Sequence, residues 1–475
     1  LKKEFWVTYK LEVINMYVKD TIAAISTAIG EGGIGIIRVS GPEAIEIVNK
    51  IFRSIRGKSL LEVDSYTAHY GHIVDSTEEI IDEVITLVMK SPKTYTTEDI
   101  VEINCHGGMV PLRKVLDLIL KEGARLADPG EFTKRAFLNG RIDLAQAEAI
   151  IDLIRSQTET GLRVAMNQLE GGLSQKVGEI RQDLIKLLAH LEATIDFPED
   201  EIEDFNSDEL SDRIDGIAKK VEKLLRTSQK GKILKEGIET AIIGRPNVGK
   251  SSLLNALLRE KRAIVTEIPG TTRDIIEEVI NIDGIPVKII DTAGIRDTED
   301  IVEKIGVERS EEFLNRADLV LLVLDAHQGI TAEDRKLMGS IKEKDAVIIA
   351  NKLDLDSKLD FTEIEEILTD KPIVKTAAVE NQGIDELEDV ISNLVFSGEI
   401  KNEDQTLITN MRHKNALDRA YQMLLDVKKT FELDLPNDFI TIDLRAALEA
   451  VGEITGDTIG EDIIDQIFAD FCLGK

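Results

Sequence analysis

Residues Gly244-Arg-Pro-Asn-Val-Gly249-Lys250-Ser251 carry the spacing GxxxxGK[ST] without exception. The chemistry this allows is phosphate binding. Glycine at 249 lets the backbone approach closely, successive amide N–H groups curl around a β-phosphate, and the following helix N-terminus favours an anion. Lys250 supplies a point charge for the β/γ-phosphates and Ser251 a hydroxyl for Mg²⁺. Asn247, Val248, Gly249, Lys250, Ser251 and Ser252 are therefore the first nucleotide-binding candidates. Asp291, Thr292, Ala293 and Gly294 follow an apolar strand; the aspartate suits the water shell of Mg²⁺ and the glycine amide a γ-phosphate. Between the two motifs, Thr266, Glu267, Ile268, Pro269, Gly270, Thr271 and Thr272 form a switch candidate in which Thr272 ligates Mg²⁺ only while the γ-phosphate is present. Asn351, Lys352 and Asp354 fit a guanine-reading pattern. A carboxylate there accepts from the base N1–H and exocyclic amine together, which adenine does not offer, so GTP is favoured over ATP. Thr376, Ala377 and Ala378 stand where a last base-contacting loop is expected. Serine and a basic residue are usual there, so that role falls to backbone amides facing the base O6.

Hydrolysis needs an oriented water. Many related proteins place a glutamine after the Asp-x-x-Gly motif; this chain has Ile295, which orients nothing. Glu303, downstream in the same switch, is the candidate for this catalytic task, against the alternative of a solvent-facing helix carboxylate. Asn247 either holds a monovalent cation beside the β/γ-phosphates or only shapes its loop.

These residues need a scaffold, and the apolar patterning supplies one. Thr240–Ile243, Glu277–Ile282, Val287–Ile290, Leu319–Leu324, Ala346–Ala350 and Ile373–Lys375 read as strands alternating with helices, the rhythm of a parallel sheet. An Asp283-Gly284 turn joins the second and third, and Ser252–Leu258 reads as the helix after the phosphate loop. Upstream, Gly35–Ser40, Glu83–Met89 and Val101–Asn104 read as strands, with Pro42–Phe52 and Pro111–Glu122 as helices, the latter opened by proline and stopped by Gly123. From Leu144 to about Lys235, and again from Leu407, the period is helical; Leu184, Leu187, Leu188 and Leu191 keep 3–4 spacing. The expected fold is multidomain, α/β plus all-α. It combines an N-terminal α+β domain (20–139), a helical domain in two halves (140–236 and 398–475) and an inserted Ras-like phosphate-loop GTPase domain (237–397). Residues 1–19 read as an extension, with Met16 a candidate start.

Composition sets limits. The 475 residues hold 58 Lys+Arg against 89 Asp+Glu, a formal net charge of −31. That argues against a protein that grips nucleic acid, DNA above all, over its whole surface. It leaves room for a local basic patch or an RNA held mainly by a partner. Asp196–Asp204 is nearly all carboxylate and reads as a solvated loop. No run of 18 apolar residues exists, so no transmembrane helix and no membrane association are expected. Two lone cysteines, Cys105 and Cys472, favour a reducing cytoplasm over secretion. Cys105 beside His106 suggests a nucleophile pair, but packing at a strand end is the plainer reading. Cys472 is a structural cysteine or a catalytic one; its tail lacks the aliphatic pair of a prenylation box.

The flanks narrow the reading. Gly32-Gly-Ile-Gly-Ile-Ile-Arg-Val-Ser-Gly41, Glu98-Asp-Ile-Val-Glu-Ile-Asn-Cys-His-Gly-Gly108, Pro129-Gly-Glu-Phe-Thr-Lys-Arg-Ala-Phe-Leu-Asn139, Asp143-Leu-Ala-Gln-Ala-Glu-Ala149 and Phe471-Cys-Leu-Gly-Lys475 resemble the MnmE (TrmE) family of tRNA-modifying GTPases, in the family's order. The resemblance implies a homodimer through a folate-binding-like N-terminal domain. It also implies a flavoprotein partner, MnmG (GidA), in a heterotetramer, with wobble uridines of certain tRNAs as the target. There a carboxymethylaminomethyl-type group is built on C5 from a methylene-tetrahydrofolate carbon while GTP is hydrolysed. It implies K⁺ held by Asn247, Thr266, Ile268 and Thr271, and 5,10-methylene- or 5-formyl-tetrahydrofolate held by Arg38, Glu102, Arg141 and Lys475. Arg141 departs from a lysine seen in the family, keeping charge but changing geometry. Read without the resemblance, Arg38 is a surface charge and Glu102 an ion-pair partner. Cys472 gains a possible part in the modification chemistry. The competing class is a ribosome-assembly or signalling GTPase whose flanks only bind protein; an RNA-assembly factor should carry a basic RNA-binding module, whereas this chain is acidic overall and ends in Cys-Leu-Gly-Lys.

Overall fold

The computed structural model describes residues 20–28, 30–196, 207–261, 278–290, 314, 316–396, 406–433 and 437–475. The chain divides into two compact units. One joins residues up to Ile151 with Gly452–Lys475, and the other is Asp152–Val451.

In the first unit, β1 (Ile22–Ile25), β2 (Gly32–Ser40), β3 (Phe52–Ser54), β4 (Thr67–Val74), β5 (Ile80–Met89), β6 (Ile100–Gly107) and β7 (Arg125–Leu126) form one sheet in the order β3-β4-β5-β6-β2-β1-β7. It is antiparallel apart from the β1–β7 pair. The period of two decides its faces. Ile37 and Val39 of β2, with Val101 and Ile103 of β6, turn onto helices α1 (Ala44–Ile51) and α2 (Met109–Lys121) in a buried cluster. The alternate residues, Arg38 and Glu102, lie on the other face, directly opposite one another in register. Helix α2 begins two residues before Pro111. Proline is tolerated there because the first N–H groups of a helix have no partner within it. Helices α3 (Glu131–Leu138) and α4 (Leu144–Arg155) follow. Phe137, Leu144 and Ala147 pack with Phe468 and Phe471 from the helix Glu461–Ala469 and the turn after it.

The second unit opens with α5 (Glu159–Leu169), α6 (Gly172–Asp196), α7 (Ser207–Arg226) and α8 (Ser228–Glu236). In α6 the expected stripe is the core stripe: Leu184, Leu187 and Leu191 are buried, each contributing roughly 1.5–3 kcal/mol by leaving water. Strands β8 (Ile238–Ile243), β9 (Glu278–Ile282), β10 (Ile285–Ile290), β11 (Leu319–Asp325), β12 (Ala346–Asn351) and β13 (Ile373–Lys375) then form a sheet in the order β13-β12-β11-β8-β10-β9. All pairs are parallel except the β9–β10 hairpin. Its turn residues Asp283 and Gly284 have φ of 48° and 87°, the positive values of the primed turn that Asp-Gly favours. Helices α9 (Lys250–Lys261), α10 (Ala332–Ser340), α11 (Phe361–Ile367) and α12 (Ile384–Phe396) accompany the strands, and α13 (Met411–Glu432) and α14 (Asn437–Thr455) return to the helical region. The two helical stretches meet. Lys428 on α13 holds Asp215 on α7 at 2.9 Å. The Thr227 hydroxyl accepts from the Ile408 N–H at 3.1 Å, and the Thr409 hydroxyl donates to Gln168 at 3.2 Å. The GTPase-type sheet is thus inserted into one discontinuous helical domain.

Candidate functional site

The phosphate loop sits between β8 and α9, at a parallel sheet's carboxyl edge, where such sheets place their ligands. At Gly249 (φ +104°) a side chain is strained, and a Cβ there would lie 2.2 Å from Asn351 Nδ2, which would have to shift. Asn247 has φ 62° and faces solvent. Lys250 folds back over its own loop, its ammonium donating to the carbonyls of Gly244 (2.7 Å) and Arg245 (2.8 Å). Burial draws that ammonium below the ordinary lysine value, against a smaller upward pull from Glu333. Ser251 is the second residue of α9. Arg245 braces the loop from outside, its Nε 2.8 Å from Asp334, the residue that closes the capping box of α10 with Thr331.

Asn351 and Lys352 are the keystones between the phosphate loop and the two later loops. Asn351 Nδ2 donates to Val248 O at 2.9 Å, while its Oδ1 accepts from the Thr376 hydroxyl and the Ala378 N–H, both at 3.1 Å. Lys352 donates to Asn247 O at 2.6 Å and to Asp325 at 2.7 Å. Burial pushes the Asp325 carboxyl up, but the Lys352 hydrogen bond and the N–H groups of Gln328 and His327 outweigh it and hold it below its ordinary value. Asp354 is exposed at the rim. The amides of Thr376, Ala377 and Ala378, which the sequence assigns to the base O6, all donate within the protein here: to Ala350 O, Gln382 O and Asn351 Oδ1. Forming the loop's own turn takes them up.

A second constellation lies in the first unit. Both guanidinium contacts of Arg38, from Nε (2.8 Å) and Nη2 (2.7 Å), fall on Glu102 Oε1. The Arg38 guanidinium also stands 5.3 Å from the Tyr95 ring centroid and 5.6 Å from that of Phe132. Arg141 lies 4.9 Å from the same Tyr95 ring and donates to Tyr95 O. The Phe132 N–H donates to Lys475 O at 3.1 Å. Gly474 (φ +84°) lets this tail lie against β1, since a Cβ there would be 2.3 Å from Ile25 O. Cys472 is exposed on the same tail, its carbonyl accepting from Gly130 N. A cleft of about 520 Å³ opens beside Tyr95, with Tyr66, Lys93, Asn139 and Arg141 in its walls. Cys105 is different: it is buried, its thiol pushed up to about 12 by burial and then by Asp82. His106 turns its Nδ1 to Asp82 at 2.6 Å. The packing reading of Cys105 is the one the structure bears out.

Two family models match this chain. One, described as the GTP-binding protein TrmE N-terminus, covers residues 21–141; the other, described as the MnmE helical domain, covers residues 144–472. The tRNA modification GTPase MnmE of Alkaliphilus oremlandii (strain OhILAs) is 56% identical over 461 residues, 97% of this chain and 100% of that protein. Those of Alkaliphilus metalliredigens (strain QYMF) and Geobacillus kaustophilus (strain HTA426) are each 54% identical, over 97% and 96% of this chain and 100% and 99% of their own lengths. The chain belongs to the MnmE (TrmE) family of tRNA modification GTPases. MnmE membership makes it a GTP-hydrolysing enzyme and joins the three parts of its fold, the N-terminal α+β domain, the discontinuous helical domain and the inserted GTPase domain. No helix among the described residues is long and apolar enough to cross a membrane.

Within that MnmE frame the described residues fit the groups the family implies. The loop of Gly249 and Lys250, at a helix N-terminus and with a half-buried ammonium, suits a polyphosphate. The Ser251 hydroxyl is a hard oxygen donor of the kind Mg²⁺ takes. One carboxylate and two guanidiniums around an aromatic ring suit a pterin's paired N–H donors and a glutamate tail. Thr266, Glu267, Ile268, Pro269, Gly270, Thr271, Thr272, Asp291, Thr292, Ala293, Gly294 and Glu303, as well as residues 1–19 and the acidic stretch 197–204, lie outside the described residues. Three residues that the sequence reading did not single out contact these candidates: Asp325, Tyr95 and Phe132. Asp325 had a signal, an acid closing the apolar strand Leu-Val-Leu-Leu-Val-Leu-Asp.

Proposed function

We propose that this chain works as a cytoplasmic homodimer with a flavoprotein of the MnmG (GidA) type. Together they would build a carboxymethylaminomethyl-type group on C5 of the wobble uridine of certain tRNAs. The observation that carries the reading is that both flanks match the family along their length, not the GTPase domain alone. A bare signalling or assembly GTPase would share only the latter. Tetrahydrofolate, as the 5,10-methylene form, supplies the one-carbon unit. Glu102, held by Arg38, receives the pterin donors, and Arg141 and Lys475 receive the anionic end. Cys472 stands on the same tail as Lys475 as the candidate catalytic cysteine of the modification.

GTP hydrolysis drives or gates the cycle. Lys250 binds the β/γ-phosphates, Asp354 reads the guanine, and Ser251 and Thr272 hold Mg²⁺, which neutralises charge developing on the phosphates. Glu303 orients the attacking water. Asn247, Thr266, Ile268 and Thr271 would hold K⁺, which would supply the positive charge that an arginine finger supplies elsewhere. With Ile295 in the glutamine's place, two GTPase domains are expected to meet for turnover. The rate per subunit should therefore rise with protein concentration below the dimerisation constant and be several-fold faster in K⁺ than in Na⁺. Equal steady-state rates in the two salts would remove the ion-site assignment.

The test of the whole reading is mass spectrometry of wobble uridines in tRNA from a bacterium that lacks its own family member, with and without this gene and its cognate flavoprotein gene. Restored aminomethyl-type modification is expected, with loss again on Lys250→Ala and on Cys472→Ser. Soluble protein with normal GTPase activity and no restored modification would leave only a GTPase of another output.

A further inference from the structure

We propose that Tyr95 is the positioning residue of the folate site, its ring holding the Arg38 and Arg141 guanidiniums at one fixed separation. The inference rests on the folate reading of Arg38, Glu102, Arg141 and Lys475 and deepens it by naming the group that organises them.

Arg38 is on a strand and Arg141 follows α3, 103 positions later in the sequence. The group they share is the Tyr95 ring, at 5.3 and 4.9 Å from its centroid, both within cation–π reach. Arg141 is also tied to the Tyr95 main chain, Nη1 donating to its carbonyl at 3.2 Å. The ring itself is fixed. Its hydroxyl is hydrogen-bonded to Thr133 Oγ1 at 2.8 Å, and Thr133 is fully buried. The segment that carries Tyr95 is pinned on both sides. The Thr94 hydroxyl donates to Glu98 O (2.6 Å), Asn139 Nδ2 to Thr96 O (2.7 Å), and the Ser91 N–H to Asp99 (2.8 Å). Thr133 is next to Phe132, whose ring faces Arg38 and whose N–H holds Lys475 O. The Tyr95 ring thus meets Arg38 and Arg141 directly, Glu102 through Arg38, and Lys475 through the backbone of Phe132 beside Thr133. Arg141 is an exposed, rotamer-rich side chain that would otherwise be ordered only on binding, which weakens a ligand. A preordered guanidinium avoids that loss.

The bland role for Tyr95 is packing, since it lies against the small cluster of Ile22, Ala24, Ala127 and Phe132. The experiment separates the two. The full-length chain and its Tyr95→Leu, Tyr95→Phe, Arg141→Ala and Tyr95→Leu/Arg141→Ala variants are titrated with 5-formyl-tetrahydrofolate, with thermal melts alongside. Tyr95→Leu is expected to weaken binding roughly 10-fold, about two exposed cation–π contacts. Tyr95→Phe keeps the ring but loses the Thr133 hydrogen bond, so it should cost only a few-fold, and in the Arg141→Ala background the leucine should cost clearly less than 10-fold. Should Tyr95→Leu melt early, Thr133→Val frees the ring without removing it. A few-fold loss that shrinks in the Arg141→Ala background is then expected. Fully additive losses, or a leucine variant that binds as wild type, would overturn the role of Tyr95 and leave the folate reading standing. A wild-type chain that does not bind the probe would overturn both.

Discussion

Gly249→Ala is expected to weaken GTP binding about 100-fold, through the backbone and through Asn351 rather than through the phosphate contact alone. At φ +104° an L side chain is strained, at roughly 1–2 kcal/mol. The new methyl would also stand 2.2 Å from Asn351 Nδ2, so one of them must move. Asn351 joins the phosphate loop to the loop at Thr376–Ala378 by three hydrogen bonds, each worth about 1 kcal/mol. Strain plus one lost bond is about 3 kcal/mol, or about two decades in Kd. The argument makes a second demand. Asn351→Ala removes the same tie and makes room for the methyl, so Gly249→Ala/Asn351→Ala should lose clearly less than the two single losses summed. Titration with a fluorescent GTP analogue gives all four corners of the cycle, and melting curves separate a damaged site from a damaged fold. Strictly additive losses, or a Gly249→Ala chain binding within threefold of wild type, would show that Asn351 is not the coupling residue.

That coupling marks where the sequence stops being legible. The phosphate loop is local: eight consecutive residues, a strand before and a helix after, and each strand named around it was found within a few residues. The Asn351–Val248 bond spans 103 positions, and nothing in either tetrapeptide announces it. The amides of Thr376–Ala378 fall under the same limit, since their donation to Ala350, Gln382 and Asn351 is decided by how the turn closes. In the first unit, Arg38 and Glu102 were legible one by one. Their direct pairing follows from the β2–β6 register, and the ring that gathers Arg38 with Arg141 comes from a Thr-rich connection with no pattern of its own.

The missed strands have similar causes. β4 reads Thr-Ala-His-Tyr-Gly-His-Ile-Val, with glycine, alanine and two histidines in place of the β-branched alternation that marks a strand; pairing with β5 holds it extended. β7 is two residues long and exists because Arg125 N–H and Ala127 N–H donate to Thr21 and Ala23 carbonyls. β6 runs on through Cys105-His106-Gly107, which the glycines at 107 and 108 disguised as a strand end. Gly107 pairs with Gly32 at a spot where a Cβ would lie 2.4 Å from the Gly32 carbonyl oxygen. Least legible of all was Arg135, an arginine in a helix that any composition rule places at the surface.

Arg135→Met is expected to destabilise the first unit by about 3–5 kcal/mol, the usual consequence of stranding buried charges by removing one partner. Arg135 is 2% exposed. Its Nη1 contacts Glu98 at 3.1 Å and the Asp20 carbonyl at 2.9 Å; its Nη2 contacts Asp20 at 2.7 Å and Glu131 at 2.9 Å. Glu98 and Glu131 are themselves buried, so methionine fills the volume and leaves two carboxylates short of a cation. For a unit of this size the loss corresponds to a fall in Tm of roughly 10 °C. Acid should change its shape as well. Burial pushes the Glu131 carboxyl up, but the Arg125 hydrogen bond, the Asp128 N–H and Arg135 outweigh it and hold it below its ordinary value. A carboxylate depressed in the folded state adds stability above its unfolded pKa and loses it as pH falls through the folded value. Wild-type Tm should thus be flat near neutrality and fall only below the ordinary glutamate range, about pH 4.3. With Arg135 gone, part of that depression goes, so the gap between variant and wild type should be constant from pH 7 to about pH 5 and narrow only as pH falls below about 4.3. Glu98→Gln added to Arg135→Met takes away one stranded charge and should recover part of the loss at pH 7. Because two units need not unfold together, hydrogen exchange at the amides of β1 and α3 assigns the effect. A variant melting within 2 °C of wild type at pH 7, with α3 equally protected, would mean that the cation contributes no more than a surface pair.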